Sequence, residues 1–244
     1  MIITIVNQTH GTVSQADLRR VVAALNTQLT RDFTPWWGMT GQVVVSSNGK
    51  VANTSLPDVQ DLAVIYLVDK INVQGALGYH DVTNTNIPYG YVDVQLSAKL
   101  GEPWSVTLSH EVLELIGDPQ TNTLVMGPHP TVKYDVFYWY EMCDAVQDEH
   151  YVINNVTVSN FVLPAYFTPT AGRTSFLNQP LAPFHVRPGG YVGFYDPQLK
   201  SMDTYMMHND PRARYRSETK ATLGAVRRAA RYAGQLTTKT NKDS

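Results

Sequence analysis

In the stretch TLSHEVLELIGDP, residues 107–119, one histidine and three carboxylates fall within nine positions of an otherwise apolar run: His110, Glu111, Glu114 and Asp118. A buried carboxylate is costly unless it is paired, protonated or bound to a cation, so such a run needs a partner for its charge. On a helix, His110 and Glu114 stand at i and i+4 and project from one face about one turn apart. Glu111 sits ~100° round from His110 and reaches the edge of the same site. Two donors a turn apart with an adjacent carboxylate free to take a proton are what a divalent metal site needs from a helix. Val112, Leu113, Leu115 and Ile116 leave little of this helix for solvent, which argues against ordinary surface glutamates. Asp118, directly before Pro119, reads as a turn or C-terminal cap residue rather than a ligand.

A second charged pair lies in YEMCDAV, residues 140–146, where Glu141 and Asp144 sit among apolar and aromatic neighbours and need a partner if ionised. Cys143 between them reads as a small buried hydrophobe. As the single cysteine of the chain it excludes an intramolecular disulfide framework and suits a reducing compartment. His80, His129, His150, His185 and His208 are scattered and form no recognisable ligand pair. Tyr191 and Tyr195 offer hydroxyls to a tetrahedral intermediate, with core packing as the first reading.

The segment SHEVLELIGD resembles the active-site helix of the zincin metallopeptidases, whose H-E-x-x-H carries two zinc ligands and a general base. Here the motif reads H-E-x-x-E. The resemblance implies His110 as first ligand, Glu111 as general base and Glu114 in the place of the second histidine. It also implies a third ligand from a later helix bearing a glutamate with an aspartate shortly after, which Glu141 and Asp144 supply; Asp144 orients from behind. Zincins place an edge strand beside the cleft ahead of this helix, and residues 78–94 are suitably positioned for substrate to pair as an added strand. HEVLE followed by YE-x-CD further resembles uncharacterised bacterial and phage proteins of zincin type. One imidazole with two or three carboxylates is a hard donor set, so manganese, calcium and magnesium stand behind zinc as candidates.

The elements that must hold these residues follow from periodicity. MIITIVN is a short β-branched strand; SQAD at 14–17 opens a helix with Leu18, Val21, Val22, Leu25 and Leu29 at helical spacing, ending near Phe33. Residues 42–47, 62–69 and 89–96 read as strands, the second apolar throughout and therefore central. Residues 103–117 form the metal-site helix, with Pro103 in its first turn and Gly117 at its end. The class is α/β (α+β): a zincin-like mixed sheet packed on the active-site helix, with an edge strand for substrate and a loop-rich C-terminal region. Residues 150–167 predict a hairpin turning at Asn154-Asn155, and 168–210 read as loop-rich. Residues 1–208 make one domain, with an α/β region over 1–120 and an irregular region over 121–208. Residues 209–244 make a basic helical tail.

The 19 Lys and Arg against 21 Asp and Glu give a net charge of −2, but unevenly. Residues 1–208 carry 10 basic against 18 acidic side chains, and residues 209–244 carry 9 against 3. That tail suits an acidic partner. No apolar run reaches the ~18–20 residues that span a bilayer, and no secretory signal opens the chain, so the expected location is cytoplasmic or within a phage particle. Neither a P-loop nor a G-x-G-x-x-G after a strand is present. The expected function is a metal-dependent hydrolase cleaving peptide bonds, with a peptide or protein substrate. The competing class is a non-catalytic binding or assembly protein whose carboxylates hold a structural cation or pair with basic side chains.

Overall fold

A computed structural model describes residues 1–46, 62–71, 77–83, 85–169 and 172–207. The basic tail, residues 209–244, lies outside them. The first layer is a five-stranded mixed sheet of β1 (Ile2–Asn7), β2 (Gln42–Val45), β3 (Leu62–Val68), β4 (Gly78–Val82) and β5 (Pro88–Asp93). Its order is β2-β1-β3-β5-β4, with β4 alone antiparallel to its neighbour. The apolar β3 occupies the centre, as a strand with no polar face must. The mixed sheet and the helix packed on it are those the sequence predicts.

Helix α1 (Gln15–Thr27) starts where Ser14 accepts from the Asp17 amide. It passes through a π-helical turn at Gln28–Phe33 into the short α2 (Thr34–Trp37), which ends at Gly38 in the left-handed region. Gln28 and Trp37 donate to the carbonyls of Ser159 and Val162, tying this arm to a later segment.

The expected strand 89–96 stops at Asp93, because that carboxylate accepts from the Leu96 amide and caps a new helix, α3 (Val94–Lys99). The strand is also internal: β5 pairs with β3 on one side and β4 on the other. Within residues 78–94, expected to lie beside the cleft, β5 is thus internal and β4 is the edge of the sheet.

Helix α4 (Trp104–Gly117) packs on β4 and β5, and Ser105 through Ile116 are buried without interruption. A helix buried on every side reads as apolar all round, which explains why no amphipathic stripe separates its charged residues from its core residues. Gly117 is its last residue, and a Cβ there would overlap the Met142 side chain.

The expectation of a loop-rich second half is corrected. β6 (Leu124–Pro128), β7 (Asp135–Trp139), β10 (Tyr191–Asp196) and β11 (Ser201–Met206) form an antiparallel sheet in the order β11-β10-β7-β6. The hairpin of β8 (His150–Ile153) and β9 (Val156–Ser159) turns at Asn154 and Asn155, both at positive φ, as predicted. β9 lies along α4, where Ser159 donates its amide to Ser109 and Ser105 donates to the Thr157 carbonyl. No helix among the described residues is long and apolar enough to cross a membrane.

Candidate metal centre

Three chain segments converge. Helix α4 brings His110, Glu111 and Glu114; the bend between β7 and the 3-10 turn Asp144–Val146 brings Glu141, Cys143 and Asp144; strand β4 brings His80. Glu141 thus sits on irregular backbone, not on the later helix that the resemblance implied.

At the centre of one half is His110, whose Nε2 lies 3.1 Å from Glu114 Oε1 and 3.1 Å from Asp144 Oδ1. Glu114 Oε1 also accepts from the Cys143 amide at 3.1 Å, which fixes the carboxylate against the bend. The Cys143 thiol, buried in the core as expected, lies within 4.8 Å of donor atoms on His110 and Glu114. The other half centres on His80. Its Nδ1 donates to Glu111 Oε2 at 2.9 Å and lies 3.8 Å from Glu114 Oε2, and its Nε2 lies 3.6 Å from Glu141 Oε2. Glu114 joins the halves, one oxygen facing each imidazole.

The centre is nearly sealed. The side chains of His80, His110, Glu111, Glu114 and Asp144 are each at most 6% exposed, and Glu141 reaches 10%. Burial by itself pushes the His80 pKa down, but Glu141, Glu111 and Glu114 outweigh it and raise it from 6.5 to about 9. In the metal-free state His80 is therefore an imidazolium among carboxylates.

The donor set fits a divalent cation. Four carboxylates face two imidazoles in a buried site, so if ionised they exceed the charge that two imidazolium groups can balance. Neighbouring donors around an ion at ~2.1 Å stand roughly 3.0–3.6 Å apart, the range of the His110 separations. Two groups of three donors, His110 with Glu114 and Cys143, and His80 with Glu111 and Glu114, each fall within 4.8 Å.

Of the residues expected from the sequence, His110, Glu111, Glu114, Glu141 and Asp144 are brought together. Asp118 is the C-terminal cap of α4 and accepts from the Thr123 amide and hydroxyl, outside the cluster, as its place before Pro119 suggests. Tyr191 is buried on β10. The reading of His80 as one of several scattered histidines is corrected. It lies 30 residues ahead of His110 in a different element, so no spacing rule links them; only the pairing of β4 beside β5, over α4, brings it in. The available signal is chemical, a helix with carboxylates but only one imidazole.

Packing opens room for this contact. Gly78 and Gly90 lie on the same face as His80, and Gly90 is its cross-strand partner. A Cβ at Gly78 would meet Thr107 and Glu111 Oε1, and one at Gly90 would press on the Tyr79 carbonyl and Ile65. No family model, no curated protein and no solved structure matches the chain.

Proposed function

We propose that this protein is a metal-dependent hydrolase acting on peptide or related amide bonds. The observation that carries the reading is the convergence on His110 Nε2 of Glu114 and Asp144, with Glu111 on the next residue of the same buried helix. His110, Glu114 and Asp144 would hold the cation, with Glu141 closing the site from the bend. A divalent cation so placed polarises a carbonyl and acidifies water. Zinc leads, because it accepts mixed imidazole and carboxylate donors.

Each residue then has a separate task. The Cys143 amide fixes Glu114, so the helix presents that carboxylate in one orientation. Glu111 is the general base: His80 Nδ1–H holds its carboxylate in the ionised, proton-accepting form, and it passes the proton to the leaving amine. Gly78 lets Glu111 Oε1 lie against β4, which places the base beside the sheet edge where an extended peptide could pair.

A second reading is favoured by the burial. Structural metal sites are closed whereas catalytic ones keep an open position, and most of these side chains are almost fully enclosed. On that reading the cation ties the bend 141–144 to α4 and no bond is cleaved. Metal content of protein purified without chelator, followed by hydrolysis of a casein or peptide-library substrate, separates the two. Bound metal with activity that Glu111→Gln abolishes supports the hydrolase; bound metal without activity supports the structural cation; no bound metal removes both.

A further inference from the structure

We infer that His80 is itself a metal ligand, through Nε2, supplying from strand β4 the second imidazole that the helix lacks. The inference rests on the metal-site reading above and extends its ligand set.

The His80 ring has a carboxylate at each nitrogen. Nδ1 is at hydrogen-bond distance from Glu111 Oε2, 2.9 Å, so the ring proton of the neutral imidazole belongs there. Nε2 faces Glu141 Oε2 at 3.6 Å, too far for a hydrogen bond, and this nitrogen makes none. The side chain is 2% exposed, so bulk water does not compensate. In the metal-free fold a proton sits on Nε2; a bound cation would take its place between this nitrogen and the Glu141 carboxylate. The gap has the right width: two donors ~2.1 Å from one ion and 3.6 Å apart subtend about 120° at it, close to a tetrahedral angle.

The other nitrogen has the partner such a ligand needs. A metal-bound histidine usually donates its second ring N–H to a carboxylate, which fixes tautomer and ring plane. Glu111 provides that acceptor for His80. Glu111 can do this and still act as base, since accepting one hydrogen bond at Oε2 does not remove its charge. Gly90 stands directly opposite His80 in the sheet, and the missing Cβ of Gly78, two residues before it, leaves space for the Glu111 carboxylate.

The test uses the full chain, stripped of metal and reloaded with zinc alone, and counts imidazoles around the ion by X-ray absorption fine structure. Zinc is a suitable probe because it binds mixed nitrogen and oxygen donors more tightly than manganese or iron. Two imidazoles are expected in the native chain and one in His80→Asn. Asparagine keeps a donor to Glu111 where Nδ1 was and deletes only the Nε2 position. Zinc affinity, measured against a chromophoric chelator, should fall by more than the ~10–100-fold typical of losing an outer partner. One imidazole in the native chain, with His80→Asn binding zinc unchanged, overturns this inference and leaves the metal site standing. A native chain that takes up no zinc overturns the metal reading and this inference with it. If His80→Asn does not fold, the imidazole count of the native chain decides alone.

Discussion

At the scale of single residues, the proposed centre would separate holding a cation from moving a proton. His110 presents one nitrogen to two carboxylate oxygens, whereas Glu111 meets the cluster through His80. His110→Ala should therefore lose most of the bound metal, while Glu111→Gln keeps an oxygen acceptor for His80, retains metal and loses hydrolysis. If Glu111→Gln empties the site as fully as His110→Ala, Glu111 is a ligand and not the base. The charge on His80 gives a second expectation. Its pKa in the metal-free fold is raised from 6.5 to about 9, so its stabilisation is complete below pH 6.5 and disappears as pH climbs through about 9. The metal-free thermal midpoint should fall across that window, by at most the equivalent of about 3 kcal/mol. With saturating zinc the fall should shrink or reverse, because metal replaces the proton and binds better as protons become scarce. A metal-free profile flat between pH 6.5 and 9 would show that no ionic stabilisation resides on His80.

Among the elements, positions without a side chain govern how closely the site is drawn together. A methyl group at Gly117 would collide with Met142, which is fully buried and lies between Glu141 and Cys143. Gly117→Ala should destabilise by about 1–3 kcal/mol through overpacking. It should also weaken metal binding, because the bend cannot move without carrying Glu141 and Asp144. Full metal affinity in a destabilised Gly117→Ala would detach the bend from the ligand set. This level also shows what is legible in the sequence. The buried helix, its two ends, the central strand and the hairpin at Asn154-Asn155 all follow from local rules of period, capping and turn chemistry. The bend residues can be named from their charge in an apolar segment. His80 cannot, because its role depends on a strand pairing with β5 that places it over a helix 30 residues on. The end of β5 at Asp93 escapes the pattern for a related reason: an apolar alternation runs on through a side chain that caps a helix. The antiparallel sheet of the second half escapes it because β10 and β11 follow a Pro- and Gly-rich run whose turn signals dominate the pattern.

Over the whole molecule, the centre sits where the two halves of the chain meet. β4 and α4 belong to the parallel-rich layer formed before residue 118, while Glu141, Cys143 and Asp144 follow β7 of the antiparallel sheet. Without a cation, the contacts across this seam that involve the centre are ion pairs and hydrogen bonds among groups that carry excess negative charge. A bound ion converts that repulsion into a cross-link that exists only in the folded state, so its binding free energy appears as folding stability. At a free zinc concentration 100 times Kd the gain is about 2.7 kcal/mol, which for a chain of this size corresponds to a rise of roughly 5–10 °C in Tm. The rise should come as one transition shifted upward, since ligands from both halves must unfold together to release the ion. Asp144→Asn, placed in the second half, should then reduce the zinc-induced shift as strongly as Glu114→Gln in the first. A shift that survives Asp144→Asn while Glu114→Gln abolishes it would confine the cation to α4 and β4, and the seam would be held by packing alone.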